Sequence, residues 1–203
     1  MSNQAKMEIN FWRDLYKQLG HEGFLAQRKF DGEEMVKFLP GLGDALQNET
    51  LTILEVGSGL ISALSMVEGF KAQMTSMDPI MDQYAGVVDL NDPALPKTCF
   101  YHNGSGEDML SFGDESFDVI ACINVIDHTP NPEKMLSEIK RVLKPGGRFY
   151  FEVNFDDALS PAHYAIWNAQ KVEEFFGDWK PESLETDYRD EYNQTRYWAK
   201  FVK

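Results

Sequence analysis

The sequence predicts an α/β fold: a doubly wound, mostly parallel sheet of seven strands, with an antiparallel hairpin at its C-terminal edge. Three observations predict it. From Leu51 onward, short apolar runs alternate with amphipathic helical spacing, the pattern of a parallel sheet covered on both faces. The first run, Leu51–Val56, passes through an acid directly into a glycine turn, Gly57-Ser58-Gly59. The final extended segments, Ser183–Tyr192 and Thr195–Val202, have only Asn193 and Gln194 between them, which reads as a hairpin.

The remaining elements follow in chain order. Ile9–Leu19 and Glu33–Leu39 read as short amphipathic helices carrying Phe11, Trp12, Tyr16 and Phe38. The sheet does not need them, so residues 1–50 are assigned as an N-terminal helical lid over a single domain spanning 51–203. A helix over Leu60–Glu68 is expected after the first strand. The next strands are Ala72–Asp78, Cys99–Asn103, Phe117–Asn124 and Gly147–Val153. Three prolines and weak periodicity between Pro79 and Thr98 predict a loop or one broken turn. A helix begins at Pro132, with Met135, Leu136, Ile139, Val142 and Leu143 on one face, and stops at Pro145-Gly146-Gly147. A further helix is expected over Ala162–Phe176.

Composition narrows the function. At 203 residues with 43% hydrophobic and 26% charged content, the chain has the make-up of one soluble domain. A formal charge of −14 argues against nucleic acid or an anionic membrane as partner, because both are bound through basic faces. No apolar run approaches membrane-spanning length, and Met1–Glu8 is polar. Cys99 and Cys122 lack metal-ligand spacing and read as free thiols of a reducing cytoplasm.

The glycine turn is the centre of the chemistry. Gly57 and Gly59 permit a sharp turn that bares peptide N–H groups at a helix N-terminus, and Glu55 sets a carboxylate on its rim. One fixed anion beside open donors suits a zwitterionic ligand better than a bare pyrophosphate. Five further features follow in order: Asp78 ending the second strand, Glu107-Asp108 in a loop, Ser116-Phe117-Asp118-Val119-Ile120, the Arg141–Gly147 turn, and the terminal hairpin with its reversed last strand.

Carrying these motifs, the chain from Leu51 to Lys203 resembles the class I S-adenosylmethionine-dependent methyltransferases, whose fold is Rossmann-like. Asn131–Gly147 is similar to the broad, type 11-like subgroup acting on quinones, sterols, sugars and other small acceptors. The resemblance implies S-adenosyl-L-methionine as cofactor. Gly57, Ser58 and Gly59 would meet its methionine part, with Glu55 on the ammonium. Asp78 would accept from the ribose hydroxyls, with a turn cap before Pro79 as its plain alternative. Pro79 and Ile80, with Met81, would lie by the adenine. Glu107 or Asp108 would accept from its amino group, with Gly106 keeping the backbone close. Asn124 would sit beside the sulfonium. One departure is plain: Ile61 stands where many relatives carry a third glycine.

Methyl transfer to oxygen or nitrogen needs in-line positioning and removal of a proton. His128, after the fourth strand, is the candidate base, and Asp127 would orient it; both also read as residues of a turn. Asn154, Asp156, Asp157, His163 and Tyr164 lie after the fifth strand as further candidates, and Trp167 reads as pocket wall or core. No resident metal is expected, although Asp127 with Asn154 or Asp156 forms a minor oxygen-ligand alternative. The expected acceptor is a small molecule, sugar- or glycan-like in the looser comparison around Asp78-Pro79-Ile80, and the expected state is a monomer or weak dimer. The rival readings are a protein methyltransferase and an NAD(P)-dependent oxidoreductase, since Gly57-x-Gly59-x-x-Ser62 approximates a phosphate loop.

Overall fold

A computed structural model describes residues 3–155, 163–190 and 194–203. The expected strands form: β1 (Thr52–Val56), β2 (Gln73–Asp78), β3 (Cys99–Asn103), β4 (Phe117–Ile123), β5 (Leu143–Phe155), β6 (Ser183–Arg189) and β7 (Gln194–Val202). They make one seven-stranded sheet in the order β3-β2-β1-β4-β5-β7-β6. The first five run parallel, while β7 pairs antiparallel with both β5 and β6. The chain reverses its lateral direction between β1 and β4. That places the crevice of an open α/β sheet above their C-terminal ends, beside Val56 and Ile123.

Alternation along the strands divides the core. Leu54, Val56, Ile120, Cys122, Phe149 and Phe151 pack on one face with α4 (Pro132–Val142) and α5 (Ala169–Phe176). Ile53, Met74, Val119, Ala121 and Tyr150 pack on the other. Both helices start as their sequences require. Asn131 caps α4 by accepting from the Lys134 amide at 3.1 Å, with Pro132 in the first turn, and Asn168 caps α5 through the Lys171 amide at 2.9 Å. The segment before β3 holds only one short turn of helix, α3 (Met81–Tyr84), as its prolines predict.

Four expectations are corrected. The N-terminal helices are longer than expected: α1 covers Asn3–Phe38, broken only where Gly20 takes φ 68° and ψ 173°. The sheet also uses this region. Leu39 and the α2 helix (Leu42–Leu46) supply Leu42, Ala45 and Leu46 to the core beside Ile53 and Met74. Residues 1–50 are therefore partly core and not wholly an appended lid.

No α-helix follows the glycine turn; Leu60–Glu68 contains only a 3-10 turn at Leu64–Met66. The cause is α1. Arg28 Nε donates to the Ile61 carbonyl at 2.9 Å and Nη2 to the Ser58 carbonyl at 3.4 Å, occupying acceptors a helix would need for its first amides. Leu60, Ile61, Ala63 and Leu64 are all fully buried, a run too apolar all round for a helix with one solvent face. The α1 backbone lies so close that a Cβ on Gly32 would fall 2.2 Å from the Ala63 carbonyl oxygen.

The helix expected over Ala162–Phe176 is described only as α5, beginning at Ala169, and its first residue lies outside the described residues. Finally, β5 starts at Leu143, paired with Phe117, so the Pro145-Gly146-Gly147 turn is absorbed as an irregularity within the strand.

Candidate functional site

Two groups of side chains converge above the C-terminal ends of β1, β2 and β4. The first surrounds the glycine turn. Glu55, the penultimate residue of β1, is 4% exposed, and its Oε2 has no hydrogen-bond partner among the described residues. Burial pushes its carboxyl up to about 7; the Ser62 hydroxyl and the Arg28 charge oppose that shift. Asp78, 7% exposed at the end of β2, accepts from the Gly59 amide at 3.1 Å and the Ile80 amide at 3.0 Å. Burial raises it to about 6, against the pull of those two amides.

The open donors expected at the turn are not open. The Gly57 and Ser58 amides donate to the Met77 carbonyl at 2.7 and 3.3 Å, and Gly59 donates to Asp78. The Gly57 amide extends the β1–β2 pairing past the register partners Val56 and Met77. Both glycines take φ near 69°, and both lie under side chains. A Cβ on Gly57 would meet Val125 at 2.4 Å, and one on Gly59 would meet the Trp12 indole at 2.4 Å. Trp12 therefore roofs the turn from α1, with the Arg28 guanidinium 5.0 Å from its ring centroid.

The second group lies after β4. A 3-10 turn at Ile126–His128 carries Asp127, fully buried, and His128. His163 Nε2 stands 3.4 Å from Asp127 Oδ2, and the two imidazole rings meet edge to face at 4.6 Å. Glu8 of α1 reaches His128 Nδ1 at 3.2 Å. The Tyr164 amide donates to the Asp127 carbonyl at 2.7 Å, tying the segment after β5 to this turn. Asn124, at φ 56°, accepts from Asn154 across the ends of β4 and β5. The two groups feel each other, since the Glu8 and His128 charges both reach the Asp78 carboxylate.

The loop after β3 behaves differently from expectation. Glu107 accepts from the Thr129 hydroxyl and from the Asn131 amide at 2.7 Å, so it braces the turn leading into α4. Asp108 is exposed. Gly106 is buried for packing: a Cβ there would meet Met135 at 2.6 Å and Val56 at 2.9 Å. Ile80 packs in the cluster around α1, Pro79 is exposed, and Trp167 belongs to the core at 1% exposure. Asp156 lies outside the described residues, as does Asp157.

Comparison with known proteins settles the fold's relatives. The family described as "Methyltransferase domain" matches residues 54–151, from the first strand to the fifth. Residues 54–151 thus match a methyltransferase domain, and the fold around them is that of the solved methyltransferases below. Outside that span lie α1, which roofs the domain's glycine turn, and the β6–β7 hairpin that completes its sheet. A ubiquinone biosynthesis O-methyltransferase of Paraburkholderia phytofirmans is 27% identical over 49% of this chain and 43% of its own length. The human thiol S-methyltransferase TMT1B is 36% identical over 37% of this chain and 29% of its own. The chain thus spans less than half the length of either curated relative. Among solved structures, a 1,6-didemethyltoxoflavin N1-methyltransferase of Burkholderia thailandensis has a TM-score of 0.60 at 16% identity. The match covers 94% of this chain and 89% of that one, whose structure holds S-adenosylhomocysteine. At that identity the likeness shows the fold alone.

Sequence reasoning missed three contributors from α1: Glu8, Trp12 and Arg28. Trp12 stands in an aromatic-rich helix, but nothing in the sequence aims it at Gly59. Arg28 pairs with Asp31 at 2.9 Å, so it reads as an ordinary ion pair along a helix, and nothing in that spacing betrays its reach to the carbonyls at positions 58 and 61. Glu152 is the fourth omission, hidden as one polar position in an apolar strand.

Proposed function

We propose that the chain transfers a methyl group from S-adenosyl-L-methionine to an oxygen or nitrogen nucleophile of a small acceptor. The observation that carries this reading is the orphaned Glu55 Oε2, a buried carboxylate oxygen at the rim of the glycine turn. A buried anion without a partner is costly, and a ligand ammonium removes the cost. The cofactor supplies a sulfonium-activated methyl. In this assignment Glu55 holds the ammonium, Gly57, Ser58 and Gly59 shape the floor under the methionine part, and Asp78 exchanges the Gly59 amide for the ribose hydroxyls. Pro79 and Ile80 flank the adenine with Gly106, Glu107 and Asp108, among which exposed Asp108 is the better acceptor because Glu107 is engaged. Asn124 stands beside the reacting centre, and α1 acts as the lid that excludes water.

Asp127 and His128, joined by His163, form the acceptor-activating group: an imidazole within reach of the crevice takes the acceptor proton as the nucleophile is aligned. The polar rim of Asn124, Asn154, His128 and His163 favours a hydroxylated acceptor of sugar type. The two buried free cysteines fit a reducing cytoplasm. Among the described residues no helix is long and apolar enough to cross a membrane.

The test pairs calorimetry with a transfer assay. S-adenosylmethionine is expected to bind and NADH is not, and labelled methyl is expected in small-molecule extracts. Tight NADH binding without S-adenosylmethionine binding establishes an oxidoreductase; label confined to macromolecules establishes a protein methyltransferase. His128→Ala is expected to reduce transfer by about 10²–10⁴-fold at unchanged cofactor affinity, the usual contribution of a general base.

A further inference from the structure

We propose that Asp127, His128 and His163 hold a divalent transition-metal cation through one carboxylate oxygen and two imidazole nitrogens. One ligand atom from each of the three lies within 4.8 Å of the others. Asp127 Oδ2 stands 3.4 Å from His163 Nε2 and 3.9 Å from His128 Nε2. The His163 separation is close to the edge, roughly 3.3 Å, of a tetrahedron whose ligands sit about 2.0–2.1 Å from a central ion, and the His128 separation is longer, so that ring must close on the ion.

A second observation points the same way. Glu8 Oε1 lies 3.2 Å from His128 Nδ1, on the side of the ring away from Asp127. A carboxylate that takes the Nδ1 proton fixes the tautomer and leaves Nε2 as a lone-pair donor, the arrangement that orients histidines on metals. A third is Glu152, 2% exposed and next to Asn124 in register, whose Oε1 has no hydrogen-bond partner among the described residues. Asp127 and Glu152 thus place two buried acids behind the same strand ends, an acidic backing that favours a cation in front of them.

The donor set selects the ion. Two imidazoles and one carboxylate suit zinc, cobalt, manganese or iron in the divalent state, whereas magnesium and calcium prefer all-oxygen sets. Three protein ligands leave a further position open, as catalytic sites do and structural sites do not. The role assigned to that position rests on the methyl-transfer reading: an acceptor hydroxyl bound there loses its proton to solvent more readily, and a free imidazole base is then not required. This departs from the metal-free site expected from sequence. Its ligand set also differs from the oxygen-only alternative, because His128 and His163 join Asp127 in place of Asn154 or Asp156.

The test titrates chelator-stripped full-length protein with cobalt chloride, followed by visible d–d absorption, and with zinc chloride, followed by calorimetry. One equivalent is expected to bind, with magnesium chloride at the same concentration failing to displace it. His163→Ala and Asp127→Asn are expected to weaken binding by at least tenfold, Glu8→Gln by about tenfold through the loss of its orienting contact, and His102→Ala not at all. Glu8→Gln, on the partly exposed α1, keeps the test decisive if Asp127→Asn does not fold. Absence of a one-equivalent site, or a site indifferent to His163→Ala and Glu8→Gln, overturns the proposal and marks any uptake as adventitious binding to the acidic surface. Calorimetry with S-adenosylmethionine on the same stripped protein separates the readings. Cofactor binding without a metal site leaves methyl transfer standing with an imidazole base; a metal site without cofactor binding does the reverse.

Discussion

The strongest prediction concerns protons released when the cofactor binds. Glu55 is buried, its Oε2 lacks a partner, and its carboxyl titrates at about 7. A ligand ammonium binds the ionised form, so cofactor binding below pH 7 must first remove a proton. The sign is fixed: affinity falls as pH falls, by up to tenfold per pH unit, about 1.4 kcal/mol for each. Between pH 7.5 and pH 6, Glu55 alone sets the slope. Below about 6, Asp78 adds to it in the same direction, because its carboxyl is also raised and its ionised form accepts the ribose hydroxyls. Calorimetry at several pH values, in buffers of different ionisation enthalpy, reads both the affinity and the proton count. Glu55→Gln is expected to lower affinity at pH 8 by about 1.5–3 kcal/mol, the value of a hydrogen bond to a charged group, and to flatten the profile above pH 6. A wild-type profile that is already flat there, or a Gln variant that keeps the slope, would refute the assignment of Glu55 to the ammonium.

Three further outcomes follow from the same geometry. Asp78→Ala is expected to weaken cofactor binding by about 1–3 kcal/mol while leaving the far-ultraviolet circular dichroism unchanged; an unaltered affinity would remove Asp78 from the site. Gly59→Ala is expected to cost about 1–2 kcal/mol in denaturant unfolding from its left-handed backbone alone, and more from its collision with Trp12; pairing it with Trp12→Ala should recover only the collision part. Glu152 extends the pH dependence of metal-stripped protein to the highest pH, above the ranges of Glu55 and Asp78. Its folded carboxyl holds a proton up to about pH 8 that the unfolded chain releases near 4.5, so wild-type stability declines as pH rises through that window. Glu152→Gln should shrink the decline, most clearly between pH 7 and 8 where Glu55 and Asp78 have levelled off, with little change at pH 5; an identical decline in the variant contradicts the raised carboxyl.

Most of the sheet was legible because each strand announces itself as a short apolar run with a turn signal at its end. The capped α4 was legible for the same local reasons: Asn131, Pro132 and a single apolar stripe. What sequence could not reveal came from contacts between distant segments. The helix expected at Leu60–Glu68 is pre-empted by Arg28, some thirty positions upstream, which takes the Ser58 and Ile61 carbonyls. The Gly57–Gly59 amides, expected to face a ligand, instead donate to Met77 and Asp78 of β2, partners on a different strand. At the candidate site, Glu55, Asp78, Asp127 and His128 could be singled out because strand-end acids and a histidine at the sheet's C-terminal edge carry chemistry in many folds. Glu8 and Trp12 sit on a helix whose surface pattern is that of any amphipathic segment. Glu107 shows the converse failure: the right residue type in the right loop, spent on bracing Thr129 and Asn131.

Backbone amide chemical shifts during titration with S-adenosylhomocysteine test the account most directly. The Gly57–Gly59 turn and the Ile80 amide are predicted to move together at saturating ligand, because the ligand competes for the carboxylate that holds both Gly59 and Ile80. Shifts confined to other surfaces, or a turn that responds to NADH and not to the adenosyl ligand, would contradict it.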